Sequence, residues 1–376
     1  MLLIGYFLFM INENESCEII VIGAGIVGLA IAAHLSNMGR EVIVLESEKD
    51  ILQHASSHNS EVIHSGIYYP NNSLKAKLCV EGNDLLYDYC KKKGIAHKKI
   101  GKLIVASDKE ELEILKSLST NGSNNSVRGL EILDQSKIKE IEPQLKSKFA
   151  LLVESTGVIN SHEFALSLVA EIESAGNHVI TFSPVKNAVR RDQYWKVEIG
   201  GETPFVIDSK ILINSSGYNS VDLARKFGIK SIPSLTFVKG HYYKYHGKNP
   251  FNYLIYPLPE KNGLGIHTST DTSNTLRFGP DAELIRKPDY IFNHSQERFL
   301  RFKQSIKKYF KGFQEDLLHE DFCGVRARLG SSHNEADFSI LFEENHSIKG
   351  LINLSGIESP GLTSALSIAR YIGKKI

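Results

Sequence analysis

Hydrophobic positions along this chain change period repeatedly, and the changes outline its elements. Ile19 to Ile22 is a short, continuous, β-branched apolar run, which predicts a buried parallel strand. Apolar residues then recur at helical spacing through Leu35, and Glu41 to Leu45 predicts a second strand. Leu74, Leu78, Leu85, Leu86 and Tyr89 give one apolar face to a helix over 73–93, which Gly94 ends. Strands are predicted at 103–106, 130–133, 150–153, 158–159 and 178–182. Helices are predicted at 108–118, in the charged segment before Pro143, and at 162–175, with the Asn/Gly/Ser stretch 121–126 as a loop. Alternation of Trp195, Val197 and Ile199, a Gly200-Gly201 turn, then Phe205 and Ile207 predict an antiparallel excursion. It ends in a strand running into a small-residue turn, ahead of a helix near Ser220. Four strands within 232–280 predict an antiparallel sheet, the floor of a substrate site. A helix over 292–313, two further strands and a final helix complete the chain.

Between the first strand and its helix stands Gly23-Ala-Gly25-Ile-Val-Gly28. The spacing G-x-G-x-x-G serves a tight turn, close backbone approach to a pyrophosphate and close helix packing. Amide groups opening the helix, at Ile26 and Val27, then point at the phosphates, where the helix dipole favours negative charge. Glu46, with Ser47 beside it, closes the second strand about 20 residues on, the position of an acid that takes a ribose hydroxyl. Strand, turn, helix, strand and acid in this order predict a dinucleotide site, either NAD or FAD. The loop that follows, 47–65, is long and rich in hydroxyl, amide and imidazole groups, a composition that on a rigid scaffold often carries function.

Composition narrows the partners. The chain has 376 residues, enough for two domains, with 42% apolar and 23% charged residues and a formal net charge of +1. That balance gives no support for nucleic acid as a partner. Four cysteines without C-x-x-C spacing argue against zinc or a disulfide framework and fit a reducing compartment; no metal site is expected. Met1 to Ile11 is apolar but far shorter than the roughly 20 residues of a membrane span. It also lacks the basic start and small-residue cleavage site of a secretory signal. It is expected as an extension, with weak peripheral membrane contact as the alternative, and the expected location is cytoplasmic.

More specific signatures run through the rest: His58-Asn-Ser60, Val62-Ile-His-Ser-Gly-Ile-Tyr-Tyr69, Ser73-Leu-Lys-Ala-Lys77, Gly101-Lys-Leu-Ile-Val-Ala106 and Thr156-Gly-Val158. Ile255-Tyr-Pro-Leu-Pro259, Gly265-Ile-His267, Gly279-Pro280 and Gly324-Val-Arg-Ala327 follow in the same order. Together they resemble the D-amino-acid oxidase superfamily of FAD-dependent oxidoreductases, and within it the L-2-hydroxyglutarate dehydrogenase/oxidase branch. The chain departs from that pattern at Lys239, His241 and Asp281, where the branch has an arginine, an acid and an asparagine. Its C-terminal Asn-Ala-Pro-Ser-Pro-Ala-Ala-Thr-Ser reads Gly356-Ile-Glu-Ser-Pro-Gly-Leu-Thr-Ser364 here.

The resemblance implies an α/β fold (α+β overall), a Rossmann-like FAD-binding domain interleaved with an antiparallel-sheet substrate domain. Residues 17–90, 149–222 and 323–376 are expected in the first, 91–148 and 223–322 in the second, and 1–16 as the extension. It implies noncovalent FAD. Gly23, Gly25, Ile26, Val27, Gly28, Glu46 and Ser47 would hold its nucleotide. Ser57, His58, Asn59 and Ser60 would line the path to the flavin, Val185 would meet adenine, and Ser215 and Gly217 the phosphates. Gly356, Glu358, Pro360, Gly361, Leu362 and Thr363 would bring amide groups to the flavin edge that becomes negative on reduction. The implied reaction oxidises a small 2-hydroxy acid, L-2-hydroxyglutarate first, with oxygen, a quinone or an electron-transfer protein as acceptor. Loss of the hydroxyl proton calls for a base, and histidine is the natural choice. His64 is the first candidate, since Gly66 next to it permits close approach, and His267 is the second. Arg326 would hold the substrate carboxylate bidentately, with Arg277 or Arg328 as substitutes. Tyr68, Tyr242 and Tyr256 would line the site. The rival readings are an amino acid or secondary amine oxidase, a glycerol-3-phosphate dehydrogenase-like enzyme, and a flavin-binding module without turnover.

Overall fold

The structure, a computed structural model, describes residues 16–258, 265–330 and 336–376. The stretch Met1–Ile11, Pro259, Gly263 and Leu264 lie outside the described residues. The described residues form two compact units: 16–57 with His162–Leu235 and Ala327–Ile376, and His58–Ser161 with Thr236–Arg326. Residues 58–90 and 149–161, grouped with the nucleotide-binding pieces from sequence, fold with the second unit.

The first unit is built on an eight-stranded sheet. Ser16–Ile22 lies at its centre, paired in parallel with Val42–Leu45 on one side and the end of Phe205–Asn214 on the other. Ile19, Ile20 and Val21 are fully buried, as a strand covered on both faces requires. Each such side chain contributes about 1.5–3 kcal/mol by leaving water. Leu351–Ser355 adds in parallel beyond Phe205–Asn214, and His178–Ile180 extends the opposite side. Val185–Arg191 and Tyr194–Ile199 form the antiparallel excursion, with Trp195, Val197 and Ile199 buried and the residues between them exposed. Helix Ile26–Asn37 packs against the last helix, Gly361–Gly373, whose small residues let the two backbones come close.

The second unit holds three smaller sheets. Leu235–Tyr245, His267–Thr270, Leu276–Gly279, Glu283–Ile285 and Leu318–Leu329 make the five-stranded one. Leu254–Tyr256 does not join it, contrary to the four-strand reading. It pairs in parallel with Lys102–Ala106, which pairs on its other side with Phe149–Val153. The Thr268 hydroxyl accepts from Ile255 N–H at 2.6 Å, so a side chain replaces the ladder bond between the two sheets. The helix predicted to stop at 118 continues from Lys109 to Asn124. Asn121 donates to the carbonyls of Ile67 and Tyr69, and Gly122 lies against Ile67 and Leu130, so tertiary contacts override loop-forming composition. Helix Leu74–Lys93 begins at Ser73, whose hydroxyl accepts from Ala76 N–H, and ends at Gly94 in left-handed geometry.

Candidate active site

Two groups of residues were singled out from sequence, and each unit contains one. In the first unit, Gly23 has φ +102°, and a Cβ on it would lie 2.7 Å from Ser215 O. A Cβ on Gly28 would stand 2.0 Å from Gly23 O, whereas one on Gly25 would meet only Ser56 Oγ at 3.1 Å. Gly23 and Gly28 therefore close the turn, and Gly25 leaves its outer side open. The first intrahelical bond runs from Leu29 N–H to Gly25 O, so the N–H groups of Ile26, Val27 and Gly28 open the helix without an internal acceptor. Ser56, which sequence reading passed over, accepts from Ile26 N–H at 3.1 Å. The buried Glu46 carboxylate accepts from Ala24 N–H at 2.7 Å through Oε2, and from Glu48 N–H and the Ser47 hydroxyl through Oε1. The acid thus stands fixed beside the turn.

Farther along this unit, Ser215 N–H donates to Ile22 O, which ties the small-residue turn and Gly217 to the end of the central strand. Val185 pairs with Ile199 at the start of the antiparallel excursion. Gly356 has φ +67° and Leu329 fills the space beside it. Glu358 accepts from Arg328 Nε at 3.2 Å in a buried ion pair. Pro360 then caps helix Gly361–Gly373 without a side-chain cap bond of its own, and the first turn includes Leu362 and the buried Thr363.

In the second unit a strand of unusual composition leads to the other group. Lys102–Ala106 is buried along its whole length. Leu103 and Val105 enter one apolar cluster, while Ile104 and Ala106 enter another together with Tyr256. Lys102 shares the second face and is 1% exposed. Its ammonium stands 4.4 Å from the ring centre of Tyr68 and 5.0 Å from that of Tyr256. Burial pulls its pKa down to about 7, and no carboxylate among the described residues pairs with it. Sequence reading missed this residue. The available signal was a lysine inside an apolar strand with no acid near it.

Around Lys102 the candidates converge. His64 follows strand Val62–Ile63 and is half-buried, its carbonyl accepting from Asn83 Nδ2 at 2.9 Å. Gly66 gives room not to a ligand, as expected, but to helix Leu74–Lys93, since a Cβ there would sit 2.8 Å from Val80. Burial first, then the charges of Lys102, Arg326 and His267, push the His64 imidazole down to about 3. The ring of His267 stacks on Tyr256 at 4.0 Å and lies 3.0 Å from the Gly265 carbonyl through Nδ1. Nδ1 therefore carries the proton and Nε2 presents the lone pair. Burial, outweighing the Gly265 bond, and then Arg326 and Lys102 push His267 down to about 3 as well. Arg326 hydrogen-bonds Tyr242, which also bonds Ser60 and stacks on Phe322 at 4.6 Å. Burial raises all three tyrosines, and the hydroxyls of Tyr68 and Tyr256 have no hydrogen-bond partner among the described residues. The arginines kept in reserve are committed elsewhere: Arg277 to Asp271 and Asp321, and Arg328 to Glu358. Nearby in sequence, His58 stacks on Tyr290 at 4.0 Å, Asn59 accepts from Glu61 N–H, and in the first unit the Ser57 hydroxyl donates to His54 O.

The residues that depart from the family pattern meet one another. His241 donates to Asp281 Oδ1 from both its backbone N–H and Nδ1 at 2.8 Å, although 40 residues separate them. An acid exchanged for histidine is thus answered by an amide exchanged for an acid. Arg298 binds Asp281 at 2.9 Å and Glu283 at 2.7 Å, and Lys239 binds Asp289 at 3.0 Å.

Residues 18–375 match the family described as "DAO: FAD dependent oxidoreductase". The chain is 38% identical over 405 residues to a mitochondrial L-2-hydroxyglutarate dehydrogenase of Arabidopsis thaliana, covering 96% of this chain and 84% of that protein. It is 31% identical over 381 residues to one of Pongo abelii, covering 97% and 88%. In fold it is similar to a dithionite-reduced L-alpha-glycerophosphate oxidase of Mycoplasma pneumoniae with FAD bound. The TM-score is 0.86 at 24% identity, over 96% of this chain and 94% of that one.

Proposed function

The chain belongs to the DAO family of FAD-dependent oxidoreductases, and within it we propose that it oxidises L-2-hydroxyglutarate to 2-oxoglutarate. It is an oxidoreductase of the CH–OH class that uses FAD. The first unit's cradle fits that group: an open side at Gly25, helix-opening amides at Val27 and Gly28, and the fixed carboxylate of Glu46. We assign the first unit to FAD and the cluster in the second to the substrate, with FAD held noncovalently. Acid precipitation should leave the yellow colour in the supernatant; a yellow pellet would point to a covalent bond.

One observation carries the substrate reading: a cluster with two cations and two neutral imidazoles, in which neither cation has a carboxylate partner among the described residues. Such a cluster asks for an anion to compensate it. An ammonium substrate would meet only positive charge, which disfavours the amine oxidases. Bound FAD supplies a hydride acceptor for the hydrogen on the substrate's Cα. Arg326 forks onto the carboxylate next to that carbon and orients it. His64, the more accessible imidazole, takes the hydroxyl proton as the C–O bond becomes a carbonyl, and His267 stands behind it. Charge on the substrate helps this step. A carboxylate that neutralises Arg326 removes part of what holds the His64 pKa near 3, so the base strengthens as substrate arrives.

Anaerobic flavin bleaching with L-2-hydroxyglutarate, its D-enantiomer, glycerol 3-phosphate and proline tests the reading. Bleaching by the first alone is expected; bleaching by glycerol 3-phosphate or proline in its place overturns it. For reoxidation, oxygen, a quinone and an electron-transfer protein are the acceptors to compare. We place the enzyme in the cytoplasm, on the support of four buried cysteines that form no disulfide, although the relatives named above are mitochondrial. No helix among the described residues is long and apolar enough to cross a membrane.

A further inference from the structure

Arg326 accounts for one carboxylate, yet the cluster buries a second cation that this reaction scheme does not use. We propose that Lys102, with the hydroxyls of Tyr68 and Tyr256, binds the second carboxylate of a diacid substrate and so selects diacids over monoacids. The inference rests on the substrate reading above and extends it to a residue and a contact.

A lysine 1% exposed is normally paired, because an unpaired ammonium loses its hydration without return. Here two aromatic faces stand against it, which attract a cation weakly but accept none of its N–H groups in the manner of a carboxylate. The hydroxyls of those same two rings are also buried without partners. Orphaned donors gathered at one place, with a positive charge among them, fit a carboxylate. It has four lone-pair sites and brings the missing negative charge. The second positive charge also explains why a diacid suits this cluster better than a monoacid. A monoacid on Arg326 leaves Lys102 buried and uncompensated, whereas a diacid answers both cations.

The groups facing Lys102 are Cys79 from helix Leu74–Lys93, Tyr68 and His64 from the segment after Val62–Ile63, and Tyr256 and His267 from their strands. Burial keeps the thiol and both phenols protonated, and both imidazoles are neutral, so none of these changes charge near neutrality. Lys102 does, at about 7. Diacid affinity should therefore fall as pH rises through about 7, and monoacid affinity should not.

Glutarate and butyrate separate the two carboxylates without turnover. Each is titrated into FAD-loaded protein and followed by the flavin spectrum. Lys102→Met should weaken glutarate about 10- to 100-fold, the value of a charge-assisted bond, and change butyrate less than about threefold. Lys102→Arg should recover part of the loss. Tyr256→Phe, which keeps the ring, should weaken glutarate alone by a smaller factor, and serves if Lys102→Met does not fold. In turnover, Lys102→Met should raise KM for L-2-hydroxyglutarate well beyond any change in KM for L-lactate. Equal losses for glutarate and butyrate, or no loss for either, overturn the proposal. A wild-type protein that binds glutarate through Lys102 but is not bleached by L-2-hydroxyglutarate would instead overturn only the substrate reading.

Discussion

Two groups of buried charge lie in the second unit, and they differ in their acids. Around Asp281, three bases (Lys239, His241 and Arg298) meet three acids at bonding distance. Around Lys102, neither that lysine nor Arg326 meets a carboxylate among the described residues. A buried ion pair that satisfies itself does little beyond holding its elements in place, because its Coulomb gain roughly offsets desolvation. A buried cation left alone destabilises the fold, so its presence marks a place where a ligand completes the structure. The same unit thus shows charge used for architecture and charge held for chemistry.

If the open cluster is the reaction site, the largest effect belongs to its base. His64→Gln should retain FAD and slow anaerobic flavin reduction by about 10²–10⁴-fold, the range of a general base. The loss should shrink at high pH, where hydroxide partly substitutes. Stopped-flow reduction at the wild-type rate would move the role to His267.

The closed network should answer in stability instead. Asp281→Ala strands His241 and Arg298 and should cost about 3–5 kcal/mol in denaturant unfolding, with substrate affinity retained in the folded protein. Burial alone would raise the Asp281 carboxyl, but its bonds to His241 hold it below its ordinary value. Its stabilisation is therefore complete above the unfolded value of about 3.9 and disappears as pH falls below it. The deficit of Asp281→Ala should narrow in acid accordingly. His241→Glu with Asp281→Asn, which restores the family's pair, should lose less than either change alone.

These contrasts also explain what the sequence disclosed. Gly23, Gly28 and Glu46 were legible because their roles are local backbone chemistry: a positive φ, a Cβ that cannot fit, and an acid at a strand end. His64, Tyr68, Tyr256, His267 and Arg326 were legible as residue types in motifs, but their common location depends on three sheets coming together. Lys102 stayed hidden because a lysine opening a strand ordinarily reads as solvated. Only burial on both faces of that strand shows otherwise. His241 and Asp281 were visible as separate departures, and no local pattern says that residues 40 positions apart share a bond.

A smaller effect, opposite in sign, should come from removing the unpaired lysine. Its pKa is about 7 in the folded protein against about 10.4 unfolded, so below pH 7 it destabilises the fold. Lys102→Met should then be more stable than wild type at pH 6. Between pH 7 and about 10 the unfolded chain binds more protons, wild-type stability rises with pH, and the advantage of the variant should fade. Thermal unfolding of both proteins across that range reads this directly. A variant less stable than wild type at pH 6 would put Lys102 among the structural charges.

Arg326 sharpens the comparison from the ligand side. Unlike Arg277 and Arg328, it has no carboxylate among the described residues, and its one described hydrogen-bond partner is the Tyr242 hydroxyl. A phenol leaves most of the guanidinium fork unfilled, whereas a carboxylate fills two parallel bonds and turns Cα–H in a fixed direction. Charge-assisted bonds are worth about 1.5–3 kcal/mol, so Arg326→Met should cost at least about tenfold in glutarate and butyrate affinity alike. That equal loss distinguishes it from Lys102→Met, which should spare butyrate. Misorientation should add a fall in the limiting rate of reduction, and Arg326→Lys should restore only part, since a point charge cannot reproduce the fork. Unchanged affinity in folded, FAD-replete Arg326→Met would make this arginine structural and leave the cluster with a single cation for the substrate.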